Sequence, residues 1–205
     1  MQGGGEVDLR RETRDPRPIR GSGLDRTQVR VERARVEDVP QIYELVSTFA
    51  RRGETLHRPL GEIYETLRDF IVARRGYLVL GCVALHVNWA DLAELKAVAV
   101  REDSQHQGIG GRLCRAALRD ARRLGVAVVY ALSYRPTFFE RFGFRRVDSA
   151  RLPRQVWGEC YRCPKFNCCD EVPLICEVSP VPAGWADSFR PPLDFREPSG
   201  APRVE

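Results

Sequence analysis

The junction between residues 98 and 113 constrains the fold of this chain more than any other feature. The apolar run Val98–Val100 leads into the glycine-rich turn Gln105–Gly111, after which apolar residues recur at helical spacing through Leu124. Glycines let backbone N–H groups crowd toward one point, and the helix N terminus adds partial positive charge there. A strand, turn and helix in this arrangement can hold a pyrophosphate. The turn is not a Walker phosphate loop, because no Gly-Lys-Ser/Thr follows it. It is not a dinucleotide fingerprint either, because Leu113 occupies the place of the third glycine.

The pattern of elements around this junction predicts a single α/β domain of mixed α+β character. A strand near Val29 precedes two helices, of which Asp38 is expected to cap the first. Antiparallel strands follow, then a β-α-β crossover through the junction, so we expect a mostly antiparallel central sheet. The remaining predicted elements are a helix over 108–124, strands over 126–132, 144–147 and 172–178, and a short helix over 136–142.

Composition divides the chain into three parts. Residues 1–28 and the Pro-rich segment 180–205 lack a periodic apolar face and are predicted to be disordered tails, which leaves a domain over 29–179. No apolar run is long enough to span a bilayer, and the first 30 residues contain no apolar signal region. We therefore expect a cytoplasmic protein that does not contact a membrane.

The net charge of +5 fits an anionic small molecule, a nucleotide cofactor or a weak nucleic-acid contact. All but two of the 33 basic side chains are arginines, a bias that genome composition can also produce. Because no basic stretch is interleaved with aromatic residues, we expect no nucleic-acid partner. The sequence leaves open whether the chain forms a homodimer.

The junction and the downstream segment Phe138–Phe144 together resemble the Gcn5-related N-acetyltransferase (GNAT) superfamily, and the resemblance covers about residues 29–148. It implies that the turn binds the pyrophosphate of acetyl-CoA and that the preceding strand lies beside the pantetheine. The short aromatic helix would flank the thioester. The implied cofactor-binding residues are Val98, Ala99, Val100, Gln105, His106, Gln107, Gly108, Ile109, Gly110, Gly111 and Phe139.

Glu94 and Lys96 lie two residues apart on an otherwise apolar strand and therefore share one face. Charges inside such a strand are costly unless they are paired or exposed. One interpretation is an ion pair on a solvated face. The other is that Glu94 deprotonates the acceptor ammonium, a role that the family resemblance supports, while Lys96 contacts a carboxylate of the acceptor.

The general acid is a point where the chain departs from the family. The resemblance implies a tyrosine on the short helix, and Phe139 occupies that place. Tyr134 and Ser133, just upstream, are alternative proton donors, and solvent is a third.

Several stretches resemble the acetyltransferase domain of N-acetylglutamate synthases, including short bacterial forms; they are 55–60, 81–86, 91–100 and 132–140. This resemblance implies acetylation of L-glutamate, the entry step of arginine biosynthesis, with Arg58 and Arg135 in the amino-acid pocket. The residues agree, since each of two acceptor carboxylates can pair with a guanidinium. Alternatives are another amino acid, a small amine or a protein N terminus as acceptor, and a non-catalytic regulator that binds acetyl-CoA.

Five of the seven cysteines fall between Cys160 and Cys176. An odd number of cysteines without an export signal favours reduced thiols. Four of them, Cys160, Cys163, Cys168 and Cys169, match the number of ligands in a closed zinc site, but their spacing is poor for zinc. Free thiols are the favoured interpretation, with a metal site and a redox pair as alternatives.

Overall fold

The computed structural model describes residues 28–149, 152, 154–158, 160–163, 165 and 168–180. The predicted tails therefore lie outside the described residues, apart from Gln28 and Pro180 at their edges, and the domain boundaries stay a prediction. The strands are β1 (Arg30–Arg33), β2 (Phe70–Arg75), β3 (Leu78–Trp89), β4 (Leu92–Val100), β5 (Val128–Ser133), β6 (Arg145–Arg146) and β7 (Val172–Glu177). The helices are α1 (Val39–Arg51), α2 (Leu60–Glu65), α3 (Ile109–Arg123) and α4 (Pro136–Glu140).

The seven strands form one sheet in the order β1-β2-β3-β4-β5-β7-β6. Neighbouring strands are antiparallel except β4 and β5, which run parallel and are connected through α3. This confirms the predicted fold class: a single α/β domain whose mostly antiparallel sheet contains one β-α-β crossover. In the part of the chain that the structure describes, no helix is long and apolar enough to cross a membrane.

The helix α3 covers one face of the sheet because its apolar residues repeat every three or four positions. Its buried side chains pack against the inward residues of β3, β4 and β5, and the rings of α4 and Phe144 extend the same core. The buried residues of α3 are Ile109, Leu113, Cys114, Ala117, Leu118 and Ala121.

The opposite face of the sheet is covered by two separate groups of residues. Helices α1 and α2 pack over β2, β3 and the end of β4. Leu152, Val156 and Trp157 pack over the start of β4 and over β5. The boundary between these two clusters falls on β4, and the candidate site lies there.

Asp38 does not cap α1 through its side chain, contrary to the prediction. Its carboxylate instead accepts a hydrogen bond from the backbone N–H of Arg35 at 2.8 Å and forms a buried ion pair with Arg74 on β2. Arg74 also pairs with Glu32 on β1 at 3.0 Å. Breaking a buried ion pair costs about 3–5 kcal/mol, whereas losing a side-chain cap costs about 0.5–2 kcal/mol, so the ion pair is the stronger demand on Asp38.

We predict that Asp38→Asn lowers the free energy of unfolding by about 3 kcal/mol, because it leaves a buried guanidinium without its closest anion. Urea denaturation measures this change. Glu37→Gln is the matched control, since Glu37 is 61% exposed and lies 3.8 Å from the same Arg74. Equal stability losses in the two variants would contradict the importance of the buried pair.

Candidate active site

Strand β4 contains a bulge at Ala97 and Val98. Lys96 lies opposite Ala84 on β3 and Ala99 lies opposite Cys82, so two residues of β4 face one residue of β3. Ala97 has a φ of 51°, in the left-handed region that side chains other than glycine rarely adopt. The bulge places Lys96 and Ala97 on the same side of the strand, where both line one cavity.

The ladder between β4 and β5 is short. It joins Leu92, Ala93 and Glu94 to β5 and ends at the pair Glu94–Tyr130. The two strands separate from there toward the end of β4 at Val100, while β5 continues to pair with β7 up to Ser133. The backbone edge of residues 98–100, which the sequence predicts to bind the cofactor, lies along this separation.

The predicted turn follows at the end of β4. The side chain of Gln105 donates a hydrogen bond to the carbonyl of Val100 at 3.1 Å, which ties the turn to the strand. His106 and Gly108 have φ values of 59° and 76°. The helix α3 starts after Gly108 with no hydrogen bond from a capping side chain. No capping side chain therefore occupies the first N–H groups of α3, and an anion could accept hydrogen bonds from them.

Two aromatic rings pack against the glycines of this turn. A Cβ atom on Gly110 would lie 3.3 Å from the Phe138 ring, and one on Gly111 would lie 3.1 Å from the Phe142 ring. Phe139, the ring predicted to contact the cofactor, is instead 6% exposed and packs in the core beside Phe144. The sequence pattern identified the aromatic helix but not which ring faces the turn.

A cavity of about 320 Å³ lies beside the bulge, where Lys96 and Ala97 form part of its lining. It brings together three of the predicted residues: Glu94 and Lys96 from β4, and Arg58 from the segment before α2. The segment after β6 and the residues around β7 close it. Its further lining residues are Thr55, Leu56, Ala97, Leu132, Ser149, Val156, Trp157, Cys160, Cys163, Cys169, Glu171 and Pro173.

The charged groups of the cavity are largely buried. Lys96 Nζ lies 3.3 Å from Glu94 Oε2, and the two side chains are 9% and 12% exposed. A solvated surface pair, one of the two interpretations of the sequence, is therefore wrong. Arg58 is 6% exposed and forms an ion pair with Glu62 on α2. The cavity thus contains two fixed cations beside a carboxylate.

The other predicted residues do not line this cavity. The side chain of Arg135 is 71% exposed and pairs with Glu54 at 2.8 Å, next in sequence to the lining residue Thr55. The Ser133 hydroxyl accepts a hydrogen bond from the Arg135 backbone N–H at 3.0 Å. The Tyr134 hydroxyl accepts one from Lys165 at 3.4 Å, and burial raises the pKa of Tyr134.

The cysteine segment, which the sequence presents as a separate feature, supplies part of the cavity wall. Cys160, Cys163 and Cys169 line it, and all four cysteines of the proposed zinc set are free. Cys160 and Cys163 are half-buried, whereas Cys168 and Cys169 are exposed. Among the described residues, no group of histidine, cysteine and acidic side chains is placed to hold a metal ion.

Glu171 is the charged residue of the cavity that sequence reasoning missed. It directly precedes β7 and lies in the same lining as Glu94. Burial raises the pKa of Glu171, and the carboxylate of Glu94 raises it further. An acidic residue next to the start of a predicted strand was the available signal, but only the fold brings it to β4.

A family model described as an acetyltransferase (GNAT) domain matches residues 66–146. The chain is 33% identical over 145 residues to an uncharacterised N-acetyltransferase of Chlorobaculum tepidum, covering 71% of this chain and 94% of that protein. It is 38% identical over 135 residues to an amino-acid acetyltransferase of Mycobacterium tuberculosis, covering 64% of this chain and 77% of that protein.

Among solved structures, the chain is similar to N-acetylglutamate synthase from Neisseria gonorrhoeae complexed with coenzyme A and N-acetyl-glutamate. The TM-score is 0.67 at 26% identity, and the match covers 75% of this chain but 36% of that one. The similarity therefore concerns one part of a longer protein.

We predict that alkylation of Cys160 accelerates steeply above pH 9, because burial raises the pKa of this thiol to about 11 and only the thiolate reacts. Peptide mapping after iodoacetamide pulses at several pH values measures the rate. Exposed Cys168 serves as the internal reference for reagent access. A Cys160 rate that levels off near pH 9, the ordinary pKa of a cysteine thiol, would contradict this placement.

Proposed function

The chain belongs to the GNAT family of acetyl-CoA-dependent N-acetyltransferases, and on that premise we propose that it acetylates the α-amino group of L-glutamate. This reaction is the entry step of arginine biosynthesis. One observation carries the proposal: Arg58 and Lys96, two cationic side chains, lie in the same cavity as the carboxylate of Glu94.

The charges of the cavity match those of an amino acid with an acidic side chain. Glutamate presents two carboxylates and one ammonium group. Arg58 can pair with one carboxylate through its guanidinium, and Lys96 can pair with the other. Each charged hydrogen bond contributes roughly 1.5–3 kcal/mol. A polyamine, which is cationic throughout, would place positive charge against both side chains and is disfavoured.

The cofactor side of the site fits acetyl-CoA, which supplies the activated acetyl thioester. The uncapped N terminus of α3 after Gly108 is suited to the pyrophosphate. The separated edge of β4 at residues 98–100 is suited to the pantetheine arm. Because the same bulged strand also carries Glu94 and Lys96, the chain can hold both substrates on one rigid element. Such positioning can supply roughly 7–11 kcal/mol of the barrier.

Proton transfers are assigned to Glu94 on β4 and to groups at the end of β5. Glu94 accepts a proton from the acceptor ammonium, directly or through water, so that a neutral amine can attack. Tyr134 is a candidate donor to the leaving thiolate, since its raised pKa keeps the hydroxyl protonated. Ser133 is a second candidate and solvent is the third. Arg135 is assigned a place beside the cavity and outside its lining, because it pairs with Glu54, the neighbour of the lining residue Thr55.

A thiol-release assay with acetyl-CoA and each common amino acid tests the proposal. We expect turnover with glutamate well above that with any other amino acid, and a kcat lowered by about 10²–10⁴ in Glu94→Gln. Preference for a different amino acid would reassign the acceptor. Binding of acetyl-CoA without turnover of any amine would overturn the proposal in favour of a non-catalytic regulator.

We predict that Arg58→Ala raises the KM for glutamate roughly tenfold or more, because one carboxylate loses a charged partner. Binding of acetyl-CoA, measured by calorimetry, should change little. Arg51→Ala is the matched control, since it removes an exposed arginine at the end of α1. An unchanged glutamate KM in the Arg58 variant would remove this residue from the acceptor pocket.

A further inference from the structure

Glu171 lines the same cavity as Glu94, and the pairing of the strands shows how the fold brings the two residues together. The residue after it, Val172, pairs with Ser133 at the end of β5. Pro173, two residues after Glu171, pairs with Leu132, and both Pro173 and Leu132 line the cavity together with Glu171. Glu94 pairs with Tyr130 on the same strand β5, two residues before Leu132. Because side chains alternate across a sheet, Glu94, Leu132 and Glu171 belong to one face.

The surroundings of Glu171 favour a cation beside it. Burial disfavours its charged form, and the nearby carboxylate of Glu94 disfavours it further, so its pKa is raised. The thiol of Cys169 is directed at Glu171 Oε2 from 3.8 Å, which is a weak interaction. A positive charge placed between the two carboxylates would relieve both penalties.

We propose that Glu171 and Glu94 together form the receptor for the acceptor ammonium group, with Glu171 as a binding residue and Glu94 as the base. The inference rests on the proposed function and deepens it. It assigns the ammonium group to the two carboxylates and the carboxylates of the acceptor to Arg58 and Lys96, with Lys96 next to Glu94 at 3.3 Å. Such an assignment selects zwitterionic amino acids over simple amines and simple acids.

This arrangement makes acceptor binding pH-dependent. Below its raised pKa, Glu171 is neutral and attracts an ammonium group weakly; above it, the ionised carboxylate binds the cation. The KM for the acceptor should therefore fall as the pH rises above 4.5, the ordinary pKa of a glutamate, and then level off. The charged or titratable groups around Glu171 are Glu94 and Lys96 on β4, Arg58 before α2, Tyr134 after β5, Cys160 and Cys163 across the cavity, and Lys165, Cys169 and Asp170 on its own segment.

The test compares Glu171→Gln and Glu171→Asp with wild type in steady-state kinetics over a pH series, using the full chain and glutamate. We expect Glu171→Gln to raise the glutamate KM roughly tenfold or more, with kcat changed less than about threefold. The acidic limb of the KM profile should move to lower pH, where only the carboxyl group of the substrate itself titrates, at about 4.3. Glu171→Asp should recover part of the affinity and retain the wild-type limb. Asp170→Asn is the matched control, because it removes one negative charge from an exposed neighbour outside the cavity lining.

Thermal unfolding and calorimetric binding of acetyl-CoA, both measured on every variant, separate a folding defect from a binding defect. A Glu171→Gln variant with wild-type stability, KM and pH profile overturns this inference and leaves the proposed function intact. Equal KM changes in Glu171→Gln and Asp170→Asn also overturn it, since the effect would then come from net charge. A wild-type protein that binds acetyl-CoA but acetylates no amino acid overturns the proposed function and this inference with it.

Discussion

The bulge at Ala97 and Val98 in β4 is the constraint on which the rest of the site depends. Holding Ala97 at positive φ costs roughly 1–3 kcal/mol, which the packed sheet on both sides must offset. The bulge turns Lys96 and Ala97 toward the same face. It begins three residues after the last pair between β4 and β5, so one local irregularity lies beside both the proposed slot for the cofactor and the floor of the proposed acceptor cavity.

The position of the proposed acceptor cavity follows from how the second face of the sheet is covered. Helices α1 and α2 cover one half, Leu152, Val156 and Trp157 cover the other, and β4 is left between them. Charged groups tolerate burial there because Lys96 pairs with Glu94 and Arg58 pairs with Glu62. If the proposed function holds, an amino acid that enters the cavity exchanges these ion pairs for its own contacts with Lys96 and Arg58.

Local patterns were sufficient to predict much of this structure. Hydrophobic periodicity predicted the strands and α3, and the spacing of Gln105, Gly108 and Gly110 predicted the turn that starts α3. Contacts between distant segments were not predictable. The cysteines around Cys160 line the cavity only because β7 brings them back to β5. The resemblance implies that Arg135 lies in the amino-acid pocket, but its side chain is exposed and pairs with Glu54. Asp38 likewise has a local cap position, whereas its actual partner Arg74 is 36 residues away.

The proposal that β4 holds both the coenzyme and the acceptor is tested most directly by a crystal structure of the protein with coenzyme A and N-acetylglutamate. The pyrophosphate should accept hydrogen bonds from backbone N–H groups between Gly108 and Gly111, and the coenzyme sulfur should lie beside residues 98–100. The acetylated nitrogen should lie between Glu94 and Glu171, with the two product carboxylates on Arg58 and Lys96. Coenzyme bound away from the start of α3, or product bound outside the cavity, would contradict a site organised by this strand.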